Sequence, residues 1–440
     1  MNDKKVLIIS YVWPPMEGVG LVRALKFAKY LPAYGWQPLV LTAKSGSSTG
    51  NNDTISLPDV RVFRTDYRDP IEEIRKLSPF RRNGCACGAP SAARAETPAG
   101  CSRRPSLLRE LILMPDDQIG WHKFGIEEGG KIIAAEHVDM IFSTSPPETA
   151  HLIGRRLKKM FGIPWVADLR DLWAEDHFRQ RPMIKKMVLK SIERRVLKDA
   201  DAVITVSEPW AETLRRSIGG PPGKVKVVEN AFDEEDFKPF TYKSNDKFTI
   251  TYTGKLHRDK QPLDLLFKTM RDLMAEGRID GRKMDVRFHV LGYDKPDIEG
   301  MAVSYNLSGI VRDMGKLGYR ESLEAQRSAD ALLFVQWQGR GGEGWYSAKL
   351  YDYIGSRRPI LALARKGSIV DELIRKTSCG LTADTGEDLR SALAGLYDEF
   401  TRNGNVRYDG KETEIRNLSR KLRAGELAGI FDSLIDRARA

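Results

Sequence analysis

Residues 6–42, VLIISYVWPPMEGVGLVRALKFAKYLPAYGWQPLVLT, decide the fold. Val6 to Ser10 form a short apolar run of the length and β-branching expected of a buried strand. The loop YVWPPMEGVG follows, broken by Pro14, Pro15, Gly18 and Gly20. Leu21, Leu25, Ala28 and Leu31 then keep helical spacing, and Gln37 to Thr42 read as a second strand. A strand, helix, strand unit of this kind belongs to a doubly wound parallel sheet, where ligands meet the carboxyl ends of the strands.

The pattern repeats outward from that unit. MIFSTS, PWVAD, DAVITVS and KVKVVEN are short apolar runs ending in polar residues, separated by helical patterns at Thr149–Phe161 and Met183–Lys198. Together they predict one Rossmann-like domain over residues 1–236. The stretch 233–247 is charged and aperiodic and reads as a linker. A second series begins with FTITYTG, continues through a helix at Leu263–Ala275, DVRFHVLG, ALLFVQ and a helix around Tyr351, and ends in PILALA. This predicts a second Rossmann-like domain over 247–415, with residues 416–440 supplying a helix, from about Glu426 to Arg437, that packs back on the first. The expected class is α/β, two doubly wound parallel-sheet domains facing across a cleft.

Composition agrees with that plan. A chain of 440 residues exceeds one comfortable core at roughly 100–200 residues per domain. Hydrophobic residues at 41% and aromatics at 9% are ordinary for a globular protein. No apolar run approaches the roughly 18 residues of a spanning helix, and MNDKKVLIIS enters a strand directly. A cytoplasmic protein is expected. Cys85, Cys87, Cys101 and Cys379 do not form a secreted disulfide framework, and the first three have no nearby histidine to complete a zinc site, so no metal is expected.

The net charge of +11 is unevenly placed. Six arginines between Arg81 and Arg109 face one acid, Glu96, among glycine, alanine, proline and serine, so that residues 80–106 read as a disordered basic insertion. A second cluster, Arg179, Arg181, Lys185, Lys186, Lys190, Arg194, Arg195 and Lys198, lies on a helix whose Ile184, Met187, Val188, Ile192 and Val196 are expected to form the buried stripe. Such a basic face suits an anionic membrane or a phosphorylated acceptor, or is simply solvated. Nucleic acid is not an expected partner, because no exposed aromatics interleave the cations.

Three motifs carry chemistry. In the first, Gly18 and Gly20 let backbone approach a ligand at a helix N-terminus, although Arg23 stands where a dinucleotide fingerprint has its third glycine. In the second, Gly254, Lys255, His257 and Lys260 follow the strand FTITYT, and the two lysines are placed to neutralise a diphosphate in place of a metal. The third is EGWYSAKLYDYIGSRRPILAL from Glu343 to Leu363. Leu350, Tyr353 and Ile354 mark a helix, Ser347 is its expected N-cap, Lys349 lies in its first turn, and Asp352 is placed to accept bonds from sugar hydroxyls.

In order, YVWPPMEGVGLVRALKFAKYL, STSPPETAHLIG, PWVADLRDLW, DAVITVS, VVENAFD, YTGKLHRDKQPLDLL and GWYSAKLYDYIGSRRPILAL resemble the retaining glycosyltransferases of family four, of GT-B fold. The resemblance implies transfer of a sugar from a nucleotide-diphosphate sugar to an acceptor hydroxyl with retention, with the donor as substrate and no further cofactor. It places Gly18, Gly20, Gly254, Lys255, Lys260, Ser347, Lys349 and Asp352 at the donor, Asp352 as the second acid of the E-x7-E motif on the ribose. Two departures stand out. Gly344 occupies the position of the first acid, one residue from Glu343, and the family's histidine is replaced by the run Leu169, Arg170, Asp171. Arg170, Asp171 and Glu343 are therefore the catalytic candidates, with His151 a further one. The acceptor is expected to be lipid-linked or a saccharide, in cell-surface polysaccharide or glycolipid synthesis, with the enzyme peripheral on the inner membrane face. The string Asp199-Ala200-Asp201 spells a D-x-D but precedes an apolar strand, and reads as coincidence. The alternatives are a nucleotide-sugar epimerase on the same fold and a catalytically silent nucleotide-sugar-binding subunit.

Overall fold

The computed structural model describes residues 4–16, 20–44, 59–77, 112–174, 182–219, 223–237, 245–258, 260–292, 295–338, 344 and 347–439. Gly18, Glu343, the basic insertion and Cys85, Cys87 and Cys101 lie outside the described residues. The chain divides into two compact units, Met1–Glu229 with Lys421–Ala440, and Asn230–Arg420. Each is built on a parallel sheet, so the class is α/β with two Rossmann-like domains.

The first unit's strands are β1 Lys4–Ile9, β2 Trp36–Ala43, β3 Arg61–Thr65, β4 Met140–Ser145, β5 Trp165–Leu169, β6 Ala202–Thr205 and β7 Val225–Val227. They are ordered β3-β2-β1-β4-β5-β6-β7, and all pairs are parallel. In register, Val6 sits beside Pro38 on one side and Met140 on the other. Val6, Leu7, Ile8 and Ile9 are all buried, as expected for strands covered on both faces. The helix Leu21–Tyr30 buries Leu21, Leu25 and Ala28. The helix Arg420–Arg439, longer than the sequence pattern implied, completes this core: Phe431 packs edge-on against Trp36 and Phe142 at 5.1 and 5.9 Å.

The second unit's strands are β8 Phe248–Lys255, β9 Met284–Leu291, β10 Val311–Asp313, β11 Ala331–Val335, β12 Ile360–Leu363 and β13 Gly380–Ala383. Their order is β10-β9-β8-β11-β12-β13, again parallel. In each sheet the strand order reverses once, between β1 and β4 and between β8 and β11. Ligands of doubly wound folds bind at such switch points, beyond the carboxyl ends. The short strands β3, β10 and β13 escaped the sequence reading.

The helix Met183–Asp199 corrects one expectation. Of the expected stripe, Val196 is buried, but Ile184, Met187 and Val188 are exposed along with Met183, and Val196 shares the buried face with Leu189, Glu193 and Leu197. The helical pattern admitted two faces, and the sequence reading chose the more apolar one.

Candidate functional site

The carboxyl edge of the second sheet gathers most of the donor candidates. Gly254, on β8, has φ of 107°, a left-handed conformation that a side chain would strain. A Cβ there would meet Lys349 Cε at 3.4 Å. Lys349 reaches back from the first turn of the helix Ala348–Gly355, and its Nζ donates to the Lys255 carbonyl at 2.8 Å and to the Tyr252 hydroxyl. The ammonium lies 4.2 Å from the centre of the Tyr252 ring. Burial pulls Lys349 down to about 7, and holds the Tyr252 hydroxyl well above its ordinary range, so the tyrosine stays neutral. A cation held by uncharged acceptors gains from an arriving anion.

The helix is fixed in place by buried polar contacts. Thr253 N donates to the Tyr353 hydroxyl at 2.8 Å, and Gln326 links Thr253 Oγ1 to Ser356 at 3.0 and 2.9 Å. Leu350, Tyr351, Tyr353 and Ile354 are buried. Ser347 takes the N-cap position, as expected, and its hydroxyl accepts no bond from the first-turn amides. Asp352, partly buried, lies near Tyr319, whose hydroxyl donates to Asp236 Oδ2 at 2.9 Å. Burial first, then Asp352 and Asp236, push the Tyr319 hydroxyl well up.

The loops after β8 and β11 are tied across the switch point. Gln261 Nε2 donates to the Val335 carbonyl at 2.5 Å, and Gln338 N donates to the Lys260 carbonyl at 2.7 Å. His257 packs edge-on against Trp337 at 5.3 Å, and Lys260 Nζ stands 6.0 Å from the same ring. The side chains of Lys255 and Lys260 are exposed.

The first sheet's carboxyl edge is different. Arg23, buried, grips the buried Asp168 through two bonds of 3.1 and 3.0 Å and donates to the carbonyls of Glu229 and Val228 at 3.0 and 2.8 Å. Thr144 Oγ1 also donates to Asp168 at 2.7 Å. Arg23 thus fills the third-glycine position with a structural ion pair. The sequence reading missed Asp168, although an acid inside the apolar run PWVADL is itself a sign of a buried partner.

Arg170, just past β5, donates to the carbonyls of Ser145 and Pro146 at 2.6 and 3.1 Å. Burial lowers its pKa, opposed by Asp168 and Asp171. A Cβ on Gly20 would stand 2.4 Å from the Arg170 guanidinium, so this glycine makes room for that side chain. Asp171 follows in the same loop. His151 is fully buried, its Nδ1 at 2.8 Å from Ser143 Oγ, and burial lowers it to about 3, so it is neutral at physiological pH. Asp199 pairs with Arg155 and Lys159 at 2.6 and 2.8 Å, and Asp201 with Lys158 at 2.7 Å, which leaves the D-x-D string a structural role.

Residues 20–231 match the Glycosyl transferase 4-like domain. No curated protein is significantly similar to the chain. Among solved structures, a sucrose-phosphate synthase from Thermosynechococcus elongatus is similar at a TM-score of 0.63 and 16% identity, over 99% of this chain and 100% of that one. HepE of Anabaena, in complex with UDP and glucose, is similar at 0.60 and 12% identity, over 98% and 100% of the two chains. A putative UDP-N-acetylglucosamine 2-epimerase from Listeria monocytogenes is similar at 0.54 and 12%, over 98% and 97%. These likenesses establish the fold shared with GT-B proteins. The Glycosyl transferase 4-like match falls on the first unit, and the structural likenesses span both units.

Proposed function

We propose that this glycosyltransferase moves a hexosyl group from a nucleotide-diphosphate sugar to an acceptor hydroxyl, with retention and without a metal. The observation that carries the reading is the trio Gly254, Lys255 and Lys349 at the switch point of the second sheet, where a partly buried lysine rests on uncharged oxygens. A diphosphate would supply the missing charge, and its departure as leaving group would be eased by the same cation. Lys255 and Lys260 add positive charge, Ser347 opens the helix toward the phosphates, and Asp352 takes the ribose. Arg170, Asp171 and Glu343 are assigned to the transferred sugar and the acceptor. HepE, which binds UDP and glucose, supports a uridine donor as the first to try.

The acceptor we infer is amphiphilic or a saccharide, used in cell-surface polysaccharide or glycolipid synthesis. Among the described residues no helix is long and apolar enough to cross a membrane. A panel of nucleotide sugars screened by thermal shift, followed by mass analysis with lipid-linked and free saccharide acceptors, tests the reading, and anomeric coupling constants in the product test retention. An epimerase is the second reading, supported by the likeness to the Listeria protein. Interconversion of two free nucleotide sugars from donor alone, with no glycosylated product, would replace the transferase assignment with that one.

A further inference from the structure

The helix Met183–Asp199 buries Leu189, Glu193, Val196 and Leu197 against the first unit, and this fixes which face looks outward. On that outward face Met183, Met187, Lys190, Arg194 and Lys198 succeed one another at intervals of three and four residues, with Ile184 beside the first two. Met183, Ile184 and Met187 are 78%, 63% and 67% exposed. Three large apolar side chains on one exposed turn, followed by a ladder of cations, is an unusual surface for a soluble monomer. The face carries no acid among its described residues: Glu193 is buried, and Asp199 is engaged by Arg155 and Lys159.

We propose that this face is a docking surface for an anionic lipid bilayer. Apolar side chains at the tip enter the boundary between headgroups and acyl chains, while the lysines and arginines, with flexible stems, reach the phosphates. A second copy of the chain fits poorly, since isologous pairing sets the cation ladder against itself. The helix leads from the end of β5 back to the start of β6, so its apolar turn lies at the carboxyl edge of the sheet. Gly20 and Arg170 lie at the same edge. A membrane docked there presents headgroups beside those residues, so the surface selects acceptors carried on lipid. That last consequence rests on the transferase reading; the docking itself does not.

Flotation of the full-length protein with vesicles tests the surface without any donor present. Binding is expected to phosphatidylglycerol-rich vesicles, weakening as salt is raised, and not to phosphatidylcholine alone. The double variant Met183→Ser/Met187→Ser, and separately Arg194→Glu/Lys198→Glu, should each lower vesicle partitioning about tenfold or more. All four side chains are exposed, so melting temperature and turnover of a water-soluble acceptor should stay at the wild-type level. Equal partitioning of wild type and both variants, or no binding to anionic vesicles, would overturn the proposal. So would a wild-type dimer in sedimentation that the methionine variant dissolves, which would assign the face to self-association. Vesicle binding lost in the variants, with no transfer to any acceptor by the wild type, would keep the docking surface and sink the transferase reading instead.

Discussion

The carboxyl edges of the two sheets hold their cations in opposite states. On the first, Arg23 is locked in a buried fork with Asp168, and its remaining donors meet the carbonyls of Val228 and Glu229. On the second, Lys349 rests on a phenol and a backbone carbonyl, and burial has already drawn its pKa down to about 7. A charge neutralised within the fold stabilises the fold, whereas one left on neutral acceptors is positioned for a ligand of opposite charge. Of these two cations at the carboxyl edges of the sheets, Arg23 is therefore committed to the fold, and Lys349 is the one we propose for the donor diphosphate.

The comparison breaks most sharply at Asp168. Asp168→Ala leaves a buried guanidinium uncompensated and should lower stability by about 3–5 kcal/mol in urea titration; a loss below the usual range for a surface pair would deny the structural role. Lys349→Met should do the reverse. Nucleotide-diphosphate affinity by calorimetry is expected to fall about 10- to 100-fold, while the melting temperature holds or rises, because a desolvated cation has been removed. A melting temperature lowered as much as by the Asp168 variant would make Lys349 structural too.

Gly20→Ala is a smaller intervention. The new methyl must displace a guanidinium held by two carbonyls, which should lower stability by about 1–3 kcal/mol and raise the acceptor KM more than the donor KM. An unchanged acceptor KM would detach Arg170 from the acceptor. The smallest effect is one of pH. The free Lys349 titrates near 7, and a bound diphosphate favours its protonated form, so binding takes up a proton. Donor affinity should fall about fivefold, ~1 kcal/mol, between pH 7 and 8, and buffers of different ionisation enthalpy should show the uptake. The sign for stability is opposite. The folded pKa lies below the unfolded value of 10.5, so the penalty for burying this lysine is complete below about 7 and fades as pH rises toward 10.5.

Both sheets were legible in the sequence because each begins with an apolar strand, a polar turn and an amphipathic helix, and the periods of 2 and 3.6 differ enough to be told apart. Gly254 and Lys349 were legible from their place after a strand and within a first helical turn. What the sequence did not disclose depends on three-dimensional partners. Arg23 stands only as a breach of a glycine pattern until Asp168, far along the chain, explains it. Tyr252, Tyr319 and Asp236 look like ordinary strand and loop residues, and only packing sets them beside Lys349 and Asp352. The face of Met183–Asp199 was misread because helical spacing fixes which residues share a side and leaves open which side the core takes.

The helix Arg420–Arg439 has a consequence for how the chain is made. It supplies Leu427 and Phe431 to the core of the first unit, yet residues 230–420 stand between it and the rest of that unit. The ends of the intervening unit are paired: Phe232 N donates to the Leu418 carbonyl at 3.1 Å and Arg420 N to the Phe232 carbonyl at 2.9 Å. On the ribosome, the first unit emerges early but waits with an open apolar groove until residues 420–439 have been translated. The second can close first and bring its own ends together. Synthesis thus runs from the amino end, while completion of the two cores runs in the opposite order.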